Sequence, residues 1–198
     1  LNEAAKIEQV IQRAADFGDV LVIDDGSTDE TAAIAKAAGA VCISHDTPMG
    51  YDPALGTGFT WALEKAYQIL VTIDADGQLP ADRLPDFIAA IDNGADIAVG
   101  CRPSFPRVSE YFFAVVCRAL IAVRDPFCGM KAYRLNRCAK GTQFDTYGSI
   151  GTDLLLRASL SGGRIENIDI SILPRKGQSR IGSRLGAEKK ILRAAMIG

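Results

Sequence analysis

Six short strand-like runs, at 20–23, 40–44, 69–73, 95–100, 131–135 and 164–172, alternate with stretches whose apolar residues recur at helical spacing. That alternation constrains the fold more than any other feature. Strands that follow one another through helices build a layered α/β fold with a mostly parallel sheet. The helical stretches fall at 2–15, 30–38, 57–68, 80–94, 109–123 and 152–161. Asn2 is placed to cap the first and Ser27 or Thr28 the second, which Gly39 ends. Ligands of such sheets gather at the carboxyl ends of the strands. Two strands end in acids at that edge, "VIDDGS" at 22–27 and "TIDADG" at 72–77.

Asp74 and Asp76 carry the sharper of the two signals. Gly77 permits the turn that brings alternate acids together. Hard divalent ions such as Mg2+ and Mn2+ take oxygen ligands and share them with substrate phosphates. Taken by themselves, the two aspartates suit a turn as well as a metal site. "IDDGSTDE" is equally open: its acids can accept hydrogen bonds from a base or ribose, or simply form an acidic capped turn. A phosphate-binding P-loop is excluded, because no glycine-rich run ends in Gly-Lys-Ser or Gly-Lys-Thr.

With 198 residues, 48% apolar and 23% charged, the chain reads as one globular domain. Its five cysteines (42, 101, 117, 128 and 138) form no CxxC pair and read as reduced, mostly buried thiols. No signal peptide is visible at the start. The longest apolar stretch, 111–123, falls short of the roughly 20 residues of a spanning helix. It suits a core or dimer helix as well as one resting on an anionic membrane with Lys189, Lys190 and Arg193.

The net charge of −2 hides an asymmetry: residues 1–100 balance at −12 and residues 101–198 at +10. An acidic half can concentrate a metal ion and a basic half can receive phosphates. Nothing in the pattern calls for nucleic acid, and nothing sets an oligomeric state. His45, the only histidine, has no partner visible in sequence and reads as structural or exposed.

The motifs in order are more specific than any one of them. "NEA" at 2–4, "VIDDGSTDET" at 22–31, "MGYDPALGTGFTWALEKA" at 49–66 and "VTIDADGQLP" at 71–80 lead into "VGCR" at 99–102. "DPFCGMKAYR" at 125–134 and "GTDLLLRASLSGGRIENIDI" at 151–170 follow. Together they resemble the family 2 glycosyltransferases of GT-A fold, in the branch of dolichyl-phosphate mannosyltransferase and the polyprenyl-phosphate sugar transferases. The resemblance spans nearly the whole chain. It implies a nucleotide-sugar half over about 1–100 and an acceptor half over about 101–198. The chain opens on a loop and helix where this fold begins with a strand, so a first strand outside the sequence is expected.

The resemblance implies an inverting, metal-dependent transfer from a nucleotide-diphosphate sugar, with Mg2+ or Mn2+ as cofactor. Glu3 and Asp25 would contact the nucleoside, with Asp24 beside them. Asp74 would lie near ribose and metal, Asp76 would ligate the metal, and Gln78 would join them at the diphosphate. Arg102, Arg175, Ser179 and Arg180 would bind donor or acceptor phosphate, although the tail suits a solvated basic segment too.

Two departures matter. Asp52 and Pro53 stand where relatives commonly have glycines, and a proline there removes a backbone donor. Ile150 and Gly151 stand where relatives that glycosylate hydroxyls carry a Glu-Asp pair, whose aspartate is the base. A hydroxyl nucleophile must shed a proton and is helped by a base, whereas a phosphate is already anionic. The missing base therefore favours a polyprenyl phosphate acceptor. Asp125 and Asp153 would orient the acceptor, Asp153 being equally suited to capping its own helix. The expected location is cytoplasmic, at the cytoplasmic face of a membrane for a lipid acceptor. Transfer to a saccharide hydroxyl, a nucleotidyltransferase and a non-catalytic nucleotide-sugar binder are the alternatives.

Overall fold

A computed structural model of the chain describes residues 1–105, 108–138 and 149–173. Strands β1 (Leu21–Asp24) and β2 (Val41–Ser44) form a parallel pair. Strands β3 (Ile69–Thr72), β4 (Ile97–Cys101), β5 (Lys131–Arg134) and β6 (Ile165–Asp169) form a sheet ordered β3-β5-β4-β6. In it β3, β4 and β6 share one direction, and β5 lies between β3 and β4, antiparallel to both. The reversal has a positional consequence. Lys131, the first residue of β5, pairs with Thr72 and Val99 and so lies near the carboxyl ends of β3 and β4.

The helices are α1 (Ile7–Ala14), α2 (Thr31–Ala37), α3 (Tyr51–Glu64), α4 (Leu84–Asp92), α5 (Val108–Ile121), the single turn α6 (Leu135–Cys138) and α7 (Ile150–Leu160). Side chains alternate across the strands and divide the core in two. Ile97, Val99 and Tyr133 pack with Phe59, Phe113, Leu154 and Leu155 on one face. Ala98, Met130 and Ala132 meet Leu84, Phe87 and Ile91 on the other. Ile7 and Ile11, one turn apart on α1, close a smaller cluster over β1 with Val22 and Ala35.

Three expected boundaries move, each for a local reason. Helix α3 begins at Tyr51 rather than 57. Pro53 sits in its first turn, where a missing N–H breaks no intrahelical bond. Gly56, which fell just before the expected helix, is buried within it, as is Gly58. Helix α1 is shorter than 2–15, because Asn2 has φ +56° and does not cap it. Instead the Thr28 amide donates to Asn2 Oδ1 at 2.8 Å. For α2 neither Ser27 nor Thr28 is the cap; the Thr31 amide donates to Asp29 Oδ1 at 3.0 Å.

All five cysteines are free. Burial pushes the thiols of Cys101, Cys117 and Cys128 up to about 11. No described helix is long and apolar enough to cross a membrane. Helix α5 buries Phe113, Ala114 and Cys117 while Val108, Tyr111, Phe112, Val115 and Leu120 are exposed. One face of it is core and the other is open.

Candidate active site

At the end of β1 the two aspartates do different work. Asp24 is buried and its carboxylate accepts the hydroxyl of Ser27 and, at 3.3 Å, the Ser27 amide. The Asn2 amide donates to Ser27 Oγ at 2.8 Å, and the Glu3 amide donates to Thr31 Oγ1 at 2.8 Å. Residues 2–4 are thus fastened to the 27–31 loop, which puts Glu3 beside the β1 edge. Gly26 has φ +70°, and a Cβ on it would stand 2.8 Å from the Pro48 nitrogen, so only glycine fits.

Asp25 gathers the next loop. Its carboxylate accepts the amides of Met49 and Gly50, each at 2.8 Å, and the Nδ1 of His45 at 2.9 Å. His45 Nε2 lies 3.0 Å from Thr57 Oγ1 on α3. The lone histidine therefore has two partners, which its surroundings in sequence do not reveal. Burial works to raise the Asp25 carboxyl, but the bond from His45 and the two amides outweigh it and hold it below the ordinary 3.8.

Beyond β3, Asp74, Asp76 and Gln78 occupy one turn, with Gly77 at φ +70°. The Gln78 amide donates to Asp76 Oδ1 at 3.0 Å. Burial raises the Asp74 carboxyl above its ordinary 3.8, and Asp76 raises it further, against the charges of Lys131 and Arg102. Two neighbouring carboxylates in a partly dry place are what a divalent cation relieves. No third His, Cys, Asp or Glu joins them among the described residues. The pair therefore offers carboxylate oxygens of the kind a divalent ion takes. Gly129 shapes this place: a Cβ on it would stand 2.5 Å from Asp74 Cγ.

Arg102 follows β4. It reaches Asp125 through Nε at 2.7 Å and Nη2 at 2.9 Å, and Glu110 through Nη2 at 3.1 Å. Its own amide also donates to Asp125, at 3.1 Å. Burial works to lower the guanidinium, but Asp125 and then Glu110 keep it above its ordinary range. Asp125 is thus a buried partner that fixes Arg102 at the edge. Asp153, in the first turn of α7, pairs with Arg157 at 2.7 Å on a partly exposed surface. Arg175, Ser179 and Arg180 lie outside the described residues.

The contacts of two residues are not legible in the sequence. Asp52 accepts the Ile150 amide at 2.9 Å and so caps the start of α7 from 98 positions away. The residue that replaces a loop glycine joins the two halves. Lys131, buried in β5, donates to the carbonyl of Cys128 and lies close enough to Asp74 to lower its carboxyl. A lysine at the start of "KAYRL" carries no signal of burial, so only the placement of β5 reveals it.

Acids at the ends of β1 and β3 and a basic group at the end of β4 sit on an α/β scaffold of the GT-A type. Solved structures support that class. Glucosyl-3-phosphoglycerate synthase from Mycobacterium tuberculosis, crystallised with Mn2+ and uridine-diphosphate-glucose, matches with a TM-score of 0.75 at 22% identity. The match covers 100% of this chain and 75% of that one. The glycosyl transferase family 2 profile matches residues 1–124, and the chain belongs to that family.

Curated relatives agree. An uncharacterized glycosyltransferase of Mycobacterium tuberculosis is 30% identical over 187 residues, 89% of this chain and 84% of that protein. A dolichyl-phosphate hexose transferase of Haloferax volcanii is 29% identical over 193 residues, 91% of this chain and 82% of its own. An undecaprenyl-phosphate mannosyltransferase of Micrococcus luteus is 28% identical over 212 residues, covering 94% and 86%.

Proposed function

We propose that this family 2 glycosyltransferase moves one sugar, with inversion, from a nucleotide-diphosphate sugar to a polyprenyl phosphate. The observation that carries the acceptor assignment is the start of α7. Ile150 is buried in the core and Gly151 has no side chain, so no carboxylate stands there as a base. Two of the relatives named above take their names from dolichyl and undecaprenyl phosphate, which supports the same reading.

In this reading Glu3 and Asp25 meet the nucleoside, and Asp24 holds the turn beneath them. Asp74, Asp76 and Gln78 hold a divalent ion, Mg2+ or Mn2+, which neutralises the leaving diphosphate when bound. An acceptor oxygen attacks the anomeric carbon. The bond from that carbon to the diphosphate oxygen breaks, its electron pair leaving with the nucleoside diphosphate. No proton has to move, because the attacking oxygen is already anionic. Arg102 adds positive charge beside the phosphates, held in place by Asp125. Arg175, Ser179 and Arg180, outside the described residues, would bind donor or acceptor phosphate. A lipid acceptor brings the protein to the cytoplasmic face of a membrane.

The test is a panel of nucleoside diphosphates titrated calorimetrically with Mn2+, followed by transfer from the best donor to polyprenyl phosphate. Release of a free nucleoside diphosphate with a glycosylated lipid phosphate is the expected result. Release of inorganic diphosphate would instead identify a nucleotidyltransferase, and transfer to a saccharide hydroxyl would move the acceptor class. Asp76→Ala should cut transfer roughly 100-fold or more and abolish the Mn2+ dependence of nucleotide binding. Unchanged transfer would remove the metal from Asp76.

A further inference from the structure

The register of β1 and β2 sets His45 beside Asp25. Asp24 pairs with Ser44, and the His45 amide donates to the Asp24 carbonyl at 2.9 Å, so the next residues leave the strand pair side by side. The His45 ring is then held at both nitrogens, by Asp25 Oδ1 at 2.9 Å and by Thr57 Oγ1 at 3.0 Å. An ionised carboxylate only accepts, so Nδ1 carries the hydrogen of the first bond. Thr57 Oγ1 also faces the Pro53 carbonyl at 3.1 Å, which lets its hydroxyl serve Nε2 as donor or as acceptor. The ring is pinned in either protonation state.

A carboxylate offers about four acceptor positions, two on each oxygen. On Asp25, Oδ1 takes His45 Nδ1 and the Met49 amide, and Oδ2 takes the Gly50 amide. Among the described residues no further donor reaches Oδ2, so one position stays open there. The Asp25 side chain keeps 14% of its surface exposed.

Of the bases with a ring N–H, uracil presents a single donor, flanked by carbonyls. Guanine presents two side by side, N1–H and the 2-amino group, which pair with both oxygens of a carboxylate at once. Such a pair needs an open position on Oδ1 as well as on Oδ2, and here His45 fills it. Guanine would have to displace the imidazole or leave a donor unpaired, and an unpaired buried donor is costly.

We propose that His45 is a positioning residue for base recognition: it fills Asp25 Oδ1 and leaves the carboxylate able to accept a single N–H, which selects a uracil nucleotide donor over a guanine one. This rests on the reading that Asp25 meets the nucleoside. Acids at a strand end would serve either base; the histidine decides between them.

Titration calorimetry of the full chain with UDP and with GDP, both in the presence of Mn2+, reads the selectivity directly. Wild type should bind UDP about tenfold or more tighter than GDP. His45→Leu removes the donor to Oδ1 and should narrow the ratio of the GDP and UDP Kd values about fivefold or more. His45→Asn, whose amide nitrogen can stand in for Nδ1, should restore it. A histidine that only stabilised the loop would, when replaced, weaken both nucleotides alike and leave the ratio unmoved, and that result overturns the proposal. So does a wild type that binds GDP as well as UDP. If His45→Leu does not fold, Thr57→Val, which frees the ring at Nε2, should narrow the same ratio, and an unmoved ratio there overturns the proposal too. Asp25→Ala separates the two levels. Unchanged UDP binding in Asp25→Ala removes Asp25 from the nucleoside, and the underlying reading falls with the proposal. Weakened UDP binding in Asp25→Ala, beside an unmoved ratio in His45→Leu, leaves that reading standing and removes His45 from selectivity.

Discussion

Gly129 and Asp74 meet so closely that no side chain fits between them, and the contact decides where the carboxylate stands. Gly129→Ala would have to push either the 125–130 loop or Asp74 aside. The expected cost is about 1–3 kcal/mol of stability, measured by chemical denaturation, with a larger loss of Mn2+-dependent nucleotide binding than stability alone explains. Asp25 sets a second expectation, in pH. Its folded-state carboxyl lies below the ordinary 3.8, so it contributes stability that is present above that value and is lost as the pH falls through the lower, folded one. Asp25→Asn should therefore flatten the loss of stability below about pH 4, seen as denaturation midpoints followed down the acid range. An acid limb identical to wild type would show that another carboxylate dominates it.

Helix α7 begins without a side-chain cap of its own, and its first amide is satisfied by Asp52 of α3. A carboxylate at a helix N-terminus also meets the positive end of the helix dipole. Asp52→Ala should cost about 0.5–2 kcal/mol, while Asp52→Asn keeps the acceptor and loses only part of it. Pro53→Ala should leave stability nearly unchanged, because the proline stands in the first turn of α3 where its missing N–H breaks nothing. Equal effects of both substitutions would mean that the turn, not the cap, holds α7. The altered loop is therefore a working part of the fold: through Asp52 it fastens α3 to the start of α7.

At the scale of the molecule, acids and bases from different strands come together at the strand ends. Ala75, between the two aspartates, packs into the α1 cluster over β1, so the ends of β1 and β3 adjoin. Arg102 and Lys131 approach from β4 and β5. The outward face of α5 carries Tyr111, Phe112 and Val115, exposed at 60%, 67% and 50%. A lipid-borne acceptor would make that face the natural contact with a bilayer. Phe112→Asp should reduce sedimentation with anionic vesicles several-fold and leave thermal stability within about 0.5 kcal/mol, as for other surface changes. Undiminished sedimentation would assign membrane contact elsewhere.

The sequence by itself determined the layered architecture, since strand and helix periodicities and strand-end acids are local patterns that need no distant partner. It placed all six strands to within a few residues, and its ordered motifs identified the family. What it could not show were contacts between residues far apart in the chain. His45 meets Asp25 across 20 positions, Asp52 meets Ile150 across 98, and Arg102 meets Asp125 across 23. Lys131 looked like an ordinary strand-end lysine. Only the antiparallel course of β5 buries it beside Asp74 and opposite Gly151. A charge is legible in sequence wherever it occurs, but whether it is solvated or buried among partners depends on the surfaces that tertiary packing brings around it.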